Sequence, residues 1–223
     1  MGFTFRWYEE LFSAKGRDIW RALSNTLIVA TFSTVLSTFL GTCAAFALHK
    51  YKSRLQSFHY CLIYTPLVVP EILIGISLLI FFIALKVQLG LATIVLAHAT
   101  FCTSYVAMAV LSRLQDFDMT ILEAARDLGA SRWVTTWKVL VPIILPGIFA
   151  GALLAFTLSI DDFVITFFVN GPGTTTLPIQ IQGMIKRGTM TMINALSTLL
   201  LAITFLVILG CQIIMKRSQR NAG

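Results

Sequence analysis

Three carboxylates lie inside strongly apolar stretches of this 223-residue chain. Glu71 falls near the middle of an apolar segment at residues 59–85, and Asp161 and Asp162 interrupt another at residues 139–169. A charge at the centre of a bilayer costs about 2.5–3.5 kcal/mol on insertion scales, so such residues usually face a cavity or a pathway. The chemistry that these carboxylates offer is the binding of a cation.

Two less specific interpretations of these acids stay open at this stage. Each one could belong to a buried ion pair or lie at the end of a helix. The apolar segments contain almost no Lys or Arg. We therefore expect the three carboxylates to be unpaired, which favours a cationic solute if the chain is a permease.

The composition indicates the class of protein that must position these residues. The chain is 57% hydrophobic and only 12% charged, with a mean hydropathy of +0.83, whereas soluble domains carry about 25% charged residues. Only helices and closed barrels satisfy their backbones in lipid, so we predict an all-α polytopic membrane bundle of about five spans. The predicted spans are residues 25–48, 59–85, 89–111, a stretch within 139–169, and 193–215. Pro66 and Pro70 predict a break in the second span.

The distribution of basic residues predicts the topology. The net charge of +7 could indicate nucleic acid, but most of the 17 Lys and Arg residues flank apolar segments. No basic–aromatic nucleic-acid module is visible. The positive-inside rule places residues 49–58, 113–138 and the basic tail 216–223 in the cytoplasm. The amphipathic approach segment, residues 1–24, is then expected outside, and residues 25–215 form the membrane domain.

The sequence carries no pattern typical of an enzyme. It has neither the glycine-rich phosphate loop nor the HExxH motif, and no serine lies in a nucleophile elbow. We therefore expect no catalysis, no metal and no cofactor in this chain. The four cysteines, Cys43, Cys61, Cys102 and Cys211, are predicted to be core residues. His98 is interpreted as a core histidine with satisfied hydrogen bonds rather than a ligand.

The polar interval after residue 113 predicts two short helices. Thr120 and Glu123 have the spacing of a capping box, Gly129 is placed for a left-handed C-cap, and Ser131 can cap a second helix. The predicted apolar face of the first helix is formed by Phe117, Ile121, Ala124 and Leu128.

This interval also carries a family resemblance. Glu123-Ala124-Ala125, then Gly129, then Val139-Leu140-Val141-Pro142 resembles the cytoplasmic EAA loop of ABC importer permeases. The resemblance implies the fold of a type I ABC importer permease. It also implies that Glu123, Ala124, Ala125 and Gly129 couple the permease to a separate ATPase subunit, which uses the ATP.

Residues 3–8, 159–163 and 168–172 extend the resemblance to the second permease subunit of bacterial spermidine/putrescine importers. That similarity implies an inner-membrane heterodimer with a sister permease, two ATPase subunits and a periplasmic solute-binding protein. Members of this family usually begin with one more span, so we expect that the family's first span is missing here. A polyamine pathway would use Glu71, Asp161 and Asp162 as anchors, with Trp7 or Tyr64 as aromatic walls.

Several alternatives remain open from the sequence. The solute of such a permease could instead be ferric iron or thiamine, and an ion-coupled carrier would use the acids as a proton or sodium relay. Gly147 and Gly151 form a GxxxG pair, which permits close helix contact either inside this subunit or with a partner permease.

Overall fold

The computed structural model describes residues 6–13, 16–50, 54–115, 117–118 and 120–221, with side chains for all of these except 203 and 207–221. The regular elements in these ranges are all helical. They are α1 (Arg6–Phe12), α2 (Arg17–Lys50), α3 (Gln56–Val68), α4 (Glu71–Ala84), α5 (Leu91–Gln115), α6 (Thr120–Asp127), α7 (Arg132–Val134), a π-helical segment (Thr135–Leu140), α8 (Val141–Asp161), α9 (Val164–Val169), α10 (Leu177–Lys186) and α11 (Met190–Asn221).

Three of the helical stretches are long and apolar enough to cross a membrane. They are α2, α5 and the continuous stretch Arg132–Asp161, of 34, 25 and 30 residues. Helices α3 and α4 meet the same length and composition criteria only when they are taken together as a bent pair, and α11 contains a shorter apolar helix at Met190–Leu206. The membrane bundle expected from the composition is therefore confirmed.

The break between α3 and α4 lies where the prolines predicted it. The chain bends by 109° between the two helices. Pro70 precedes the first residue of α4 and has an extended ψ of 132°, and the residue before it, Val69, is extended as well. A proline removes a helix donor and disfavours helical geometry in the residue before it, which explains why α3 ends here.

The described chain divides into two compact units, residues 1–23 with 179–223 and residues 24–178. In the first unit α1 packs against α11. Trp20 Nε1 donates a hydrogen bond to the carbonyl of Leu11 at 3.0 Å, and the rings of Phe12 and Trp20 stack at 5.4 Å. The second half of the predicted approach segment is thus the first part of α2 rather than a separate element.

The second unit is built around α5, which is buried along most of its length. Helix α8 packs closely on α5 at its two glycines. A Cβ added at Gly151 would lie 3.2 Å from the Cα of Val106, and one added at Gly147 would lie only 2.6 Å from the Cγ of Arg113. The GxxxG pair therefore serves a contact inside this subunit.

The cysteine prediction is right for one residue and wrong for two. Cys102 is buried, and its thiol donates to the carbonyl of Ala155 at 3.5 Å. Cys43 and Cys61 are exposed, because a membrane helix presents apolar side chains to lipid as well as to the core. The side chain of Cys211 lies outside the described residues.

Candidate functional site

Glu71 is the first residue of α4, directly after the proline break. Its side chain is exposed, and a carboxylate in the first turn is favoured by the positive end of the helix dipole. Tyr64, on α3 before the break, is 41% exposed and lies beside Tyr60 with 6.3 Å between ring centroids. The Glu71 carboxylate after the break and the Tyr64 ring on the helix before it are therefore both exposed.

The two aspartates at the end of α8 have different environments. Helix α8 ends at Asp161, which is exposed, and the chain becomes extended at Asp162, which is buried. The Asp162 carboxylate caps α9: Oδ2 accepts the backbone N–H of Thr166 at 2.8 Å and its hydroxyl at 2.7 Å, and Oδ1 accepts the N–H of Ile165 at 3.3 Å.

His98 is the further partner of Asp162. The imidazole Nε2 lies 3.1 Å from Asp162 Oδ2 and 2.8 Å from the hydroxyl of Thr166. Nδ1 lies 2.7 Å from the hydroxyl of Ser159, and His98 is only 1% exposed. The expectation of an unpaired carboxylate is therefore wrong for Asp162, because its partner comes from α5, far away in sequence. The interpretation of His98 as a satisfied core histidine is confirmed.

The structure does not gather all the predicted pathway residues into one contact network. Within the described part of the chain, no hydrogen bond or ion pair joins Glu71, Tyr64 and Asp161 to one another. Trp7 lies on α1 in the first unit, where the Arg6 guanidinium is 5.7 Å from its ring centroid. Glu71, Tyr64 and Asp161 are exposed in the second unit, so a shared pathway stays a prediction.

The segment from α6 to α7 contains the predicted chain turn. Helix α6 ends in a Schellman motif, in which Ala130 N–H donates to the carbonyl of Ala125 at 3.1 Å and Gly129 N–H to that of Arg126 at 2.8 Å. Gly129 has a φ of +87°, which a residue with a Cβ adopts only with strain. Ser131 then caps the next helix by accepting the N–H of Val134 at 3.3 Å.

The predicted N-terminal cap of α6 is wrong. The Thr120 N–H donates to Asp118 Oδ1 at 2.9 Å, so Asp118 supplies the cap, and the described hydrogen bonds include no capping box between Thr120 and Glu123. The backbone N–H and the hydroxyl of Thr120 hold the pKa of the Asp118 carboxyl below its ordinary value of 3.8. Asp118 could have been recognised as a candidate cap from its residue type alone.

The predicted apolar face of α6 is wrong for Ile121, Ala124 and Leu128, which are exposed, whereas Phe117 packs against the buried core from a position before the helix. Leu122 is the residue that joins the core, at 7% exposed, while Ile121 is exposed and Leu128 is 89% exposed. Helix α6 packs against the π-helical segment, whose Leu140 belongs to the same buried cluster as Leu122, and this contact fixes the buried face. Two large apolar side chains that follow α6, Leu128 and Trp133, are exposed.

The described elements are a helical membrane bundle with a bent helix pair and a capped two-helix loop between two apolar helices. Comparison with known proteins gives the family. Residues 19–221 match the model of the binding-protein-dependent transport system inner membrane component, and the chain belongs to that family.

Relatives and a solved structure agree with this assignment. The chain is 37% identical over 223 residues to the spermidine/putrescine transport system permease protein PotC of Escherichia coli K12, covering 100% of this chain and 84% of PotC. It is 39% identical over 227 residues to the putrescine transport system permease protein PotI of the same organism, covering 99% and 80%. A bacterial ABC transporter that imports alginate has a similar fold, with a TM-score of 0.64 at 18% identity, over 82% of this chain and 66% of that one.

Family membership has consequences for location and partners. The chain is an inner-membrane component of a binding-protein-dependent importer, and such importers work with an ATPase and a solute-binding protein. Its relatives are transport permeases rather than enzymes.

Proposed function

We propose that this chain is the polyamine-carrying permease subunit of an ATP-driven importer, with spermidine or putrescine as the solute. The observation that carries the proposal is the 37% identity to PotC over the whole of this chain. The exposed carboxylates Glu71 and Asp161, in or beside membrane-spanning helices, support a cationic solute.

The solute contacts follow from the chemistry of a polyamine, which is a flexible chain of ammonium groups separated by methylenes. Glu71 and Asp161 are the anchors for two ammonium groups, and Tyr64 is an aromatic wall that adds about 0.5–2 kcal/mol by cation–π contact. The side chain of Asp162 is only 4% exposed, so it acts from the wall behind the pathway. Binding in the permease stays weak, since tight capture belongs to the soluble binding protein.

The coupling surface is the loop that contains Glu123, Ala124, Ala125 and Gly129. In the proposal this loop docks on an ATPase subunit on the cytoplasmic side, and the C-terminus lies on the same side with the N-terminus outside. The complete importer has two ATPase subunits, a sister permease that forms a heterodimer with this chain, and a periplasmic binding protein. The proposal assigns the use of ATP to the ATPase and no cofactor or metal to this chain.

The test is co-expression of this chain with a sister permease and an affinity-tagged ATPase. We expect the three proteins to purify together from detergent, and ATP hydrolysis in proteoliposomes to rise when a spermidine-loaded binding protein is added. An ion-coupled carrier would instead purify without the ATPase and take up solute in response to a proton or sodium gradient. That result would overturn the proposal.

A further inference from the structure

Five buried polar side chains form a continuous chain through four helices of the second unit. Their exposures are 0% for Ser33 on α2, 1% for His98 on α5, 2% for Ser159 on α8, and 8% and 0% for Asp162 and Thr166 at α9. Polar groups that are buried to this extent in a membrane protein are costly unless every one is hydrogen-bonded. A complete network of this kind therefore specifies one arrangement of its helices.

The donors and acceptors of this chain can be assigned from its geometry. The Thr166 hydroxyl donates to Asp162 Oδ2 at 2.7 Å, so its oxygen accepts from His98 Nε2–H at 2.8 Å. The tautomer follows from this network. On the other side of the ring, Nδ1 is 2.7 Å from Ser159 Oγ, which is 2.9 Å from Ser33 Oγ.

The two serines complete the hydrogen bonding of the imidazole. With its proton on Nε2, Nδ1 accepts from the hydroxyl of Ser159, and the Ser159 oxygen accepts from the hydroxyl of Ser33. Both ring nitrogens of His98 therefore have a partner.

The network fixes the position of α9. That helix has only six residues, too few to be stable alone, and its first amides are held by Asp162. Helix α9 in turn lies against α4, where a Cβ at Gly75 would be 2.7 Å from Phe168 Cδ2 and 3.4 Å from the Cα of Ile165. Gly75 is four residues after Glu71, so both lie on one face of α4.

We propose that His98 and Asp162 are positioning residues for transport: their buried pair fixes α9, and α9 fixes the start of α4 with its exposed carboxylate Glu71. The part of this inference that concerns the solute rests on the proposed function. The part that concerns α9 is a property of the fold and can be tested without a solute.

The first experiment measures hydrogen exchange of the α9 amides, residues 164–170, in the purified transporter complex. His98→Leu removes both ring hydrogen bonds and leaves the Asp162 charge without its partner. We expect these amides to exchange at least about tenfold faster, which corresponds to about 1.4 kcal/mol. His98→Gln offers an amide N–H to Asp162 and a carbonyl to Ser159, so its exchange stays near that of the parent protein.

The matched control is His59→Leu, the same change at an exposed histidine of α3, which leaves the α9 amides unchanged. If His98→Leu does not assemble, Thr166→Val takes its place, because it removes one hydroxyl and keeps the backbone cap. Parent-like exchange of the α9 amides in the assembled variant would overturn the proposal.

The second experiment measures spermidine uptake per assembled complex over a range of solute concentrations. We expect His98→Leu to raise the concentration for half-maximal uptake by about fivefold or more, and His98→Gln to restore it, since a contact worth about 1 kcal/mol corresponds to that factor. Faster exchange with parent-like uptake would overturn the link from α9 to Glu71. Absence of spermidine uptake in the parent complex would count against the proposed solute, while the exchange experiment would still decide the role of the pair.

Discussion

Gly75 of α4 lies directly against Phe168 of α9, so that a Cβ at position 75 would come within 2.7 Å of the Phe168 ring. We predict that Gly75→Ala destabilises this contact by about 1 kcal/mol and that Gly75→Val destabilises it by about 3 kcal/mol, as expected for overpacking. The measurement is the thermal stability of the purified complex.

The control for this prediction is Gly90→Ala, where a new Cβ meets nothing within 4 Å. It should leave the melting temperature unchanged. Equal melting temperatures for Gly75→Val and the parent protein would show that α4 and α9 are not closely packed.

The turn at Gly129 makes a prediction about coupling. Its φ is +87°, and a Cβ there would meet open space, so a substitution acts through the backbone alone. Gly129→Val should strain the turn by about 1–2 kcal/mol and lower solute-stimulated ATP hydrolysis, whereas Gly129→Asn, which tolerates a left-handed conformation, should lower it less. Both variants should still insert in the membrane.

Gly188→Val separates coupling from general strain, because Gly188 also has a positive φ, of +74°, with open space around it. This variant should keep its stimulated ATPase activity. Normal stimulation in Gly129→Val would remove this loop from the coupling mechanism.

Asp118 makes a prediction about the start of α6. Its pKa is lowered by the N–H and hydroxyl of Thr120, so the cap stabilises α6 at pH values above the ordinary pKa of an aspartate and is lost as the pH falls through the lower, folded-state value. At neutral pH, Asp118→Ala should speed hydrogen exchange of the Thr120 amide by several-fold, and Asp118→Asn, which keeps an acceptor, should speed it less. Equal exchange in all three proteins would mean that the side chain does not cap the helix.

The sequence predicts elements well where the local chain determines them. The proline break, the Gly129 turn and the Ser131 cap were all expected from residue types and spacing, and the structure contains each of them. These features depend on dihedral preferences and on hydrogen bonds between residues close in sequence.

Features that depend on tertiary packing were not predictable in this way. The partner of Asp162 is a histidine on another helix. The buried face of α6 is determined by its packing against the π-helical segment rather than by the periodicity of its own sequence. An apolar membrane sequence gives little indication of which face meets lipid and which meets protein, and this explains the exposed Cys43 and Cys61.

The central claim is that Glu71 and Asp161 bind the ammonium groups of a polyamine in the membrane, with Asp162 supporting them. Its most direct test is uptake of radiolabelled spermidine in cells, with the amount of complex in the membrane measured in parallel. Each ion contact at 4 Å in a wet pathway is worth about 1 kcal/mol, so Glu71→Gln and Asp161→Asn should each lower uptake by about fivefold, and the double variant should lower it further.

Asp162→Asn should also lower uptake, because it weakens the pair with His98. Asp18→Asn, at an exposed acid in the first turn of α2, is the control and should leave uptake unchanged. The account predicts reduced spermidine uptake in all three isosteric variants at parent-like levels of complex. Unchanged uptake in Glu71→Gln, Asp161→Asn and Asp162→Asn would contradict it.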